Sequence, residues 1–196
     1  MKPSESIKPH LIIMVGIPGS GKSFFAEQFA KTFKAPIISF DCLRNELFTN
    51  QSQNSNDNNV VNKIASHLLN EVLKTKKTII YEGQTSLHSD RINLSKKANS
   101  AGYETLFIWV QTEPASALKR VSKIINSKPL LSVDDFNKSI KQFSPPLKSE
   151  KAIVISGKHT YASQLKIVLQ HLIKPHFNNE QTNLTQLQKN RDNNIR

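Results

Sequence analysis

The sequence predicts an α/β three-layer sandwich, a five-stranded parallel sheet with helices on both faces. Three observations predict it. Short apolar runs at residues 11–15, 36–40, 78–81, 105–110 and 152–155 alternate with segments of helical apolar spacing, the pattern of repeated strand–helix–strand units. The first run leads directly into Gly16-Ile17-Pro18-Gly19-Ser20-Gly21-Lys22-Ser23, and a helix pattern follows at once. A length of 196 residues suits one such domain and is short for two.

Taken in order, residues 1–9 are a polar leader expected to be flexible, and 10–174 form the single domain. Behind the glycine-rich loop, Phe25, Ala26, Phe29, Ala30 and Phe33 recur at helical spacing and read as core. The second strand runs into Asp41-Cys42-Leu43-Arg44, with Asp41 in position to cap a helix from Cys42. Residues 50–59 are almost wholly Asn, Gln and Ser, too polar to bury, and are expected to be a mobile loop. Val61, Ile64, Ala65, Leu68, Leu69, Val72 and Leu73 then mark one face of the clearest helix. The third strand ends in Glu82-Gly83-Gln84-Thr85, and the next helix, from about Ser89, closes at Gly102. The fourth strand holds Trp109, read as core. Thr112 is expected to cap a helix whose inward face runs from Ala117 through Ile124 and Ile125. Ser132 and Asp135 resemble a capping box for a helix that Pro145 and Pro146 end. The fifth strand passes through Ser156-Gly157 to a last helix, and the Asn- and Gln-rich residues 175–196 are expected to be disordered.

No run of about 18 apolar residues occurs, so no membrane partner is expected and the protein reads as soluble and cytoplasmic. Cys42 is the only cysteine, which excludes an intrachain disulfide or a cysteine-rich metal site. The formal charge is +12, from 27 Lys and Arg against 15 Asp and Glu, a balance that favours polyanionic partners. The tail carries little of it. Residues 116–151, with Lys119, Arg120, Lys123, Lys128, Lys138, Lys141, Lys148 and Lys151, carry more; a solvated helical surface and a nucleic-acid-binding face both fit them.

The chemistry centres on the loop after the first strand. Its glycines let successive backbone amides surround phosphate oxygens, Lys22 reaches the β and γ phosphates, and the Ser23 hydroxyl suits Mg²⁺. Gly16, Ile17, Pro18, Gly19, Ser20, Gly21, Lys22, Ser23 and the adjoining Phe24 therefore form the expected ATP site, a P-loop at a helix N-terminus. Ligands of open parallel sheets lie at the carboxyl ends of the strands. There Asp41 is the candidate general base, Arg44 a candidate fork for a substrate phosphate, and Glu82 a second Mg²⁺ contact. Arg91 begins a helix, where its charge opposes the dipole, so a substrate role is expected for it. Arg120 is placed to swing over the transferring phosphate. His159 lies in the loop after the fifth strand, where a purine edge or a plain loop role fits it.

The combination GIPGSGKS, ISFDCLR, IIYEGQTSLHSDR, AGYETLFIWV, LKR and FSPPLKSEKAIVIS resembles the phage-type polynucleotide kinase family of P-loop kinases over residues 11–156. The resemblance implies a P-loop NTPase, kinase-like fold with a helical lid over about 116–150. It implies ATP and Mg²⁺ at Lys22 and Ser23, a general base at Asp41, an acceptor-phosphate contact at Arg44 and a lid arginine at Arg120. The sequence departs from the family in carrying Glu82-Gly83-Gln84-Thr85 for Asp-x-Thr-Asn, and Lys123 or Lys128 for a second lid arginine. The expected activity is transfer of the γ phosphate of ATP to a hydroxyl. The acceptor is a nucleic-acid 5′ hydroxyl or a small metabolite; the alternative is an ATP-dependent switch without an acceptor.

Overall fold

The computed structural model describes residues 8–48, 55–125, 128–129 and 131–172. The chain divides into two compact units, residues 1–159 and 160–196. Within the first, β1 (His10–Val15), β2 (Ile37–Ser39), β3 (Ile79–Glu82), β4 (Glu104–Gln111) and β7 (Ile153–Ser156) form one sheet in the order β2-β3-β1-β4-β7. Every pairing in it is parallel, as the strand–helix alternation predicts.

Strands covered on both faces need continuous apolar runs, and Leu11 through Val15 are all essentially unexposed. Leu11, Ile13 and Val15 face a core completed by Ala65, Leu69 and Leu73 of α3 (Ser55–Leu73), Ala98 of α4 (His88–Ser100), and Tyr103 and Phe107. The alternate residues Ile12 and Met14 point the other way. There α1 (Lys22–Phe33) lies against β1, β2 and β3, burying Phe25, Ala26 and Phe29. Since β3 lies between β1 and β2, and β1 between β3 and β4, the chain reverses its winding beside β1. The loop after β1 therefore opens into the crevice where ligands of such sheets bind.

Four boundaries differ from expectation. The polar tract does not all stand outside the helix: α3 already runs from Ser55, with Asp57 in its first turn, where a carboxylate meets the helix dipole favourably; residues 50–54 lie outside those described. Helix α2 (Phe40–Leu47) starts at Phe40, with the Ser39 hydroxyl accepting from the Cys42 N–H, so Asp41 sits inside the first turn and is not the cap. The residue before α5 (Pro114–Val121) is Glu113, which makes no side-chain cap bond; Thr112 turns elsewhere. Helix α5 also stops short of the isoleucines, and β5 (Ile124–Ile125) pairs antiparallel with β6 (Lys128–Pro129) as a small ribbon. Helix α6 (Val133–Gln142) is capped by Ser132 as expected, its hydroxyl accepting from the Asp135 N–H at 3.1 Å. A 3₁₀ turn, Lys148–Glu150, precedes β7. The second unit contributes one described helix, α7, over 161–172, opened by Thr160, whose hydroxyl accepts from the Ser163 N–H. The expected leader and tail, residues 1–7 and 175–196, lie outside the described residues.

Candidate functional site

The loop between β1 and α1 is held in a conformation that side chains would obstruct. Gly19 has φ +73°, and a Cβ there would meet the Ala117 carbonyl oxygen at 2.5 Å. Gly21 caps α1 at φ +106°, so the first amides of the helix stay free. The Lys22 ammonium folds back to donate to the Ile17 carbonyl at 2.9 Å. Burial lowers its pKa, opposed by the charges of Glu82 and Asp41. Phe24, at the same helix end, is 53% exposed.

Ser23 donates to Glu82 Oε1 at 2.5 Å, and Ser39 to Oε2 at 3.3 Å. Glu82 is buried, which raises its pKa; the Ser23 bond and the Lys22 charge oppose that rise. A hydroxyl and a carboxylate joined in this way are the hard oxygen donors Mg²⁺ takes. Among the described residues no group of three His, Cys, Asp or Glu side chains could hold a metal ion. Asp41, exposed on α2, is close enough for its charge to act on both Lys22 and Glu82. The structure thus brings together the residues that sequence reasoning picked from three strand ends. One turn further along α2, the half-buried Arg44 lies with its guanidinium 5.8 Å from the Phe40 ring centre, and its Nε has no partner.

Two arginines stand differently from expectation. Arg91 is not available to a substrate, because it has no exposure at all. Its Nε and Nη2 donate to the two oxygens of Glu150 at 2.6 and 3.1 Å, and Nη1 donates to the carbonyls of Thr85 and Ser86. Glu150 also accepts from the Leu147 N–H, and His88 Nδ1 lies 3.1 Å away. Burial raises the Glu150 pKa, but the Arg91, Leu147 and His88 bonds outweigh it and hold the carboxyl below its usual range. Arg120 reaches the back of the glycine-rich loop. Its guanidinium donates to the carbonyls of Gly19, Ser20 and Gly157 at 3.1, 3.3 and 2.9 Å.

Sequence reasoning missed the groups that brace the loop from behind. The Thr112 hydroxyl donates to the Ser20 carbonyl at 2.8 Å, and the Gly157 N–H to Gln111. A Cβ on Gly157 would fall 2.0 Å from the Ser20 oxygen and 2.2 Å from Thr112 Oγ1, so backbone meets backbone there. The buried Thr85 hydroxyl donates to the Met14 carbonyl at 2.7 Å and ties the loop after β3 to β1. A glycine just past a strand end was the available signal for the first contact; nothing in the sequence signalled Thr85. Beside this loop a cavity of about 280 Å³ opens between α3 and α4, lined by Asn62, Ser66, Tyr81, Gln84, Asp90 and Asn93 among others. No described helix is long and apolar enough to cross a membrane.

Residues 11–139 match the family model described as the AAA domain. No curated protein matches the chain. Solved structures share its fold at low identity. A gluconokinase from Sinorhizobium meliloti 1021 aligns with TM-score 0.61 and 16% identity over 89% of this chain and 97% of that one. The Mycobacterium tuberculosis APS kinase CysC in complex with AMPPNP and APS gives 0.58 and 16% over 84% and 98%. A chain of the Pnkp1/Rnl/Hen1 RNA repair complex gives 0.57 and 22% over 77% of this chain and 48% of that one. The fold is that of the P-loop kinases.

Proposed function

The chain belongs to the AAA domain family, and we propose that it is a phosphotransferase that moves the γ phosphate of ATP to a hydroxyl with Mg²⁺. The observation that carries this reading is the meeting of Lys22, the Ser23–Glu82 pair and Asp41 at the carboxyl ends of β1, β2 and β3. A Mg²⁺-bound nucleotide accounts for one carboxylate across the crevice, Glu82. A second, Asp41, is what a kinase adds, because the acceptor must lose its proton. In this reading the acceptor oxygen bonds to the γ phosphorus while the bond from phosphorus to the β–γ bridging oxygen breaks. The electron pair leaves with ADP, and the hydroxyl proton passes to the Asp41 carboxylate. Lys22 leaves the Ile17 carbonyl for the phosphates, and its ammonium offsets the charge building on them. Ser23 and Glu82 would hold Mg²⁺, and what the ion would supply is neutralisation of the β and γ oxygens. Arg120 steadies the loop by holding the Gly19, Ser20 and Gly157 carbonyls.

Arg44 favours an acceptor that carries a phosphate near its hydroxyl, such as the 5′-terminal nucleotide of a polynucleotide. Its fork lies three residues from the base, with Nε unclaimed. A second reading rests on the cavity by Gln84, whose amide and hydroxyl lining suits a compact polyhydroxy metabolite. The test is transfer from γ-labelled ATP to 5′-hydroxyl oligonucleotides and to a panel of small alcohols and sugars. Asp41→Asn is expected to lower transfer by about 10²- to 10⁴-fold with ATP affinity unchanged. Full transfer by that variant would remove Asp41 as the base. Label appearing only on a small acceptor would select the second reading, and ATP binding without transfer to anything would leave a nucleotide switch.

A further inference from the structure

The first helical hydrogen bond of α1 runs from the Phe25 N–H to the Gly21 carbonyl at 3.1 Å. A helix carried further back would continue in the same i to i−4 pattern, from Phe24 to Ser20 and from Ser23 to Gly19. Neither bond is made, because both carbonyls are taken from outside the loop. Arg120 Nη1, on α5, donates to Gly19 at 3.1 Å and to Ser20 at 3.3 Å, and the Thr112 hydroxyl, just past β4, donates to Ser20 at 2.8 Å. We propose that Thr112 and Arg120 are positioning residues for the phosphate donor: by holding these carbonyls they keep the Ser23 and Phe24 N–H groups out of the helix and open to an anion. The proposal rests on the reading of the loop as the ATP site.

Every helix leaves its first amides open, but here the carbonyls that could close them are present in the chain and bonded elsewhere. Among the described residues the Gly21, Ser23 and Phe24 N–H groups have no hydrogen-bond partner, and Ser23 and Phe24 are exposed. The peptide group is planar and trans, so a carbonyl fixed in one direction fixes the following N–H in the opposite one. Holding the Ser20 carbonyl against Thr112 and Arg120 therefore turns the Gly21 N–H away from them, toward the inner side of the loop. Thr112 has one proton to give. Its hydroxyl also lies 2.9 Å from the Gln111 carbonyl, which already accepts from the Gly157 N–H at 2.8 Å; the Ser20 carbonyl is the nearer. Gly157 makes room for the contact, since a Cβ there would collide with both the Ser20 oxygen and Thr112 Oγ1. Arg120 Nη2 donates to the Gly157 carbonyl at 2.9 Å, so the same guanidinium anchors the loop after the last strand to the glycine-rich loop.

Thr112→Val keeps the branched shape and removes the donor, whereas Thr112→Ser keeps the donor. In the full chain, binding of ATP with Mg²⁺ by titration calorimetry is expected to weaken about 10-fold in Thr112→Val and to stay within about 2-fold of wild type in Thr112→Ser. Amide exchange of the nucleotide-free protein, followed by NMR, gives a readout that does not depend on ATP. In Arg120→Met the Ser23 N–H, whose helical acceptor Gly19 is released, is expected to gain about 10-fold protection over wild type. With Thr112→Val added, the Phe24 N–H should gain it as well, because Ser20 is then free. Unchanged exchange at both amides overturns the proposal even where ATP affinity falls, and so does a Thr112→Ser variant that binds ATP no better than Thr112→Val. New protection at Ser23 and Phe24, in a protein whose wild type binds no ATP, upholds the shaping of the loop by these residues and removes the nucleotide reading.

Discussion

Glu82 is held between two demands. In its proposed role as a magnesium contact it must be ionised, while burial favours its protonated form. A carboxyl whose folded pKa is raised binds its proton more tightly in the native state than in the unfolded chain. It therefore adds stability at low pH that is lost as pH rises from the ordinary carboxylate range through the raised value. Glu82→Gln is expected to make the nucleotide-free protein more stable at neutral pH, by about 2–4 °C in Tm per kcal/mol gained, and to flatten that part of the pH profile. It should also lose most of the extra stabilisation that Mg²⁺ adds to ATP. Calorimetric scans from acid to neutral pH check both; a Tm lowered at neutral pH would mean that the bonds to Ser23 and Ser39 outweigh the desolvation. At this scale the sequence was legible in placement: Lys22, Ser23, Asp41 and Glu82, picked because each follows a strand end, lie within bonding or charge reach of one another. Arg91 was half legible. Its charge opposes the dipole of its own helix, which signalled a reason outside the helix, but the partner lies 59 positions away at Glu150 and no local pattern announces it.

Arg91 and Glu150 join two elements, the start of α4 and the turn before β7, and His88 adds a second contact to the same carboxylate. Through the Thr85 and Ser86 carbonyls and the Leu147 N–H the pair fixes both connections at once. Arg91→Met leaves a buried carboxylate without its cation and is expected to cost about 3–5 kcal/mol by urea unfolding. Arg91→Met with Glu150→Leu should cost less than the single change, and a larger loss in the double variant would show that the pair contributes more than mutual neutralisation. The Glu150 pKa is lowered, so its stabilisation is present above the ordinary carboxylate range and fades as pH falls through the folded value. The helices with long apolar stripes, α1 and α3, were legible for the reason that their buried faces repeat. The ribbon was not: Ile124 and Ile125 continue the helical spacing of Ala117, Leu118 and Val121, and two β-branched residues do not reveal a strand so short. The start of α3 was hidden by its polar residues, Ser55 to Asn59, since a helix propagates from a packed stripe into residues that have none.

For the molecule as a whole, the proposed nucleotide binding would be a stability term as well as a catalytic one. ATP with Mg²⁺ at about 100 times its Kd should add about 2.7 kcal/mol, or about 5–10 °C in Tm at this size. The shift should shrink with EDTA and vanish in Lys22→Ala; a full shift in that variant would place the nucleotide elsewhere. The sheet, its parallel sense and the edge that carries the site were legible because alternation and the glycine-rich loop are local patterns. The brace behind the loop was not, because Thr112, Arg120 and Gly157 reach it only once strands far apart in the sequence lie in one sheet. The same separation governs how the protein is born. The loop sequence is complete once α1 has left the ribosome, but the Thr112, Arg120 and Gly157 contacts that brace it come about a hundred residues or more later. A nascent chain halted before β7 carries the whole glycine-rich loop and no finished brace behind it. The loop is therefore held in its final form only in chains that have been synthesised and wound through their last strand.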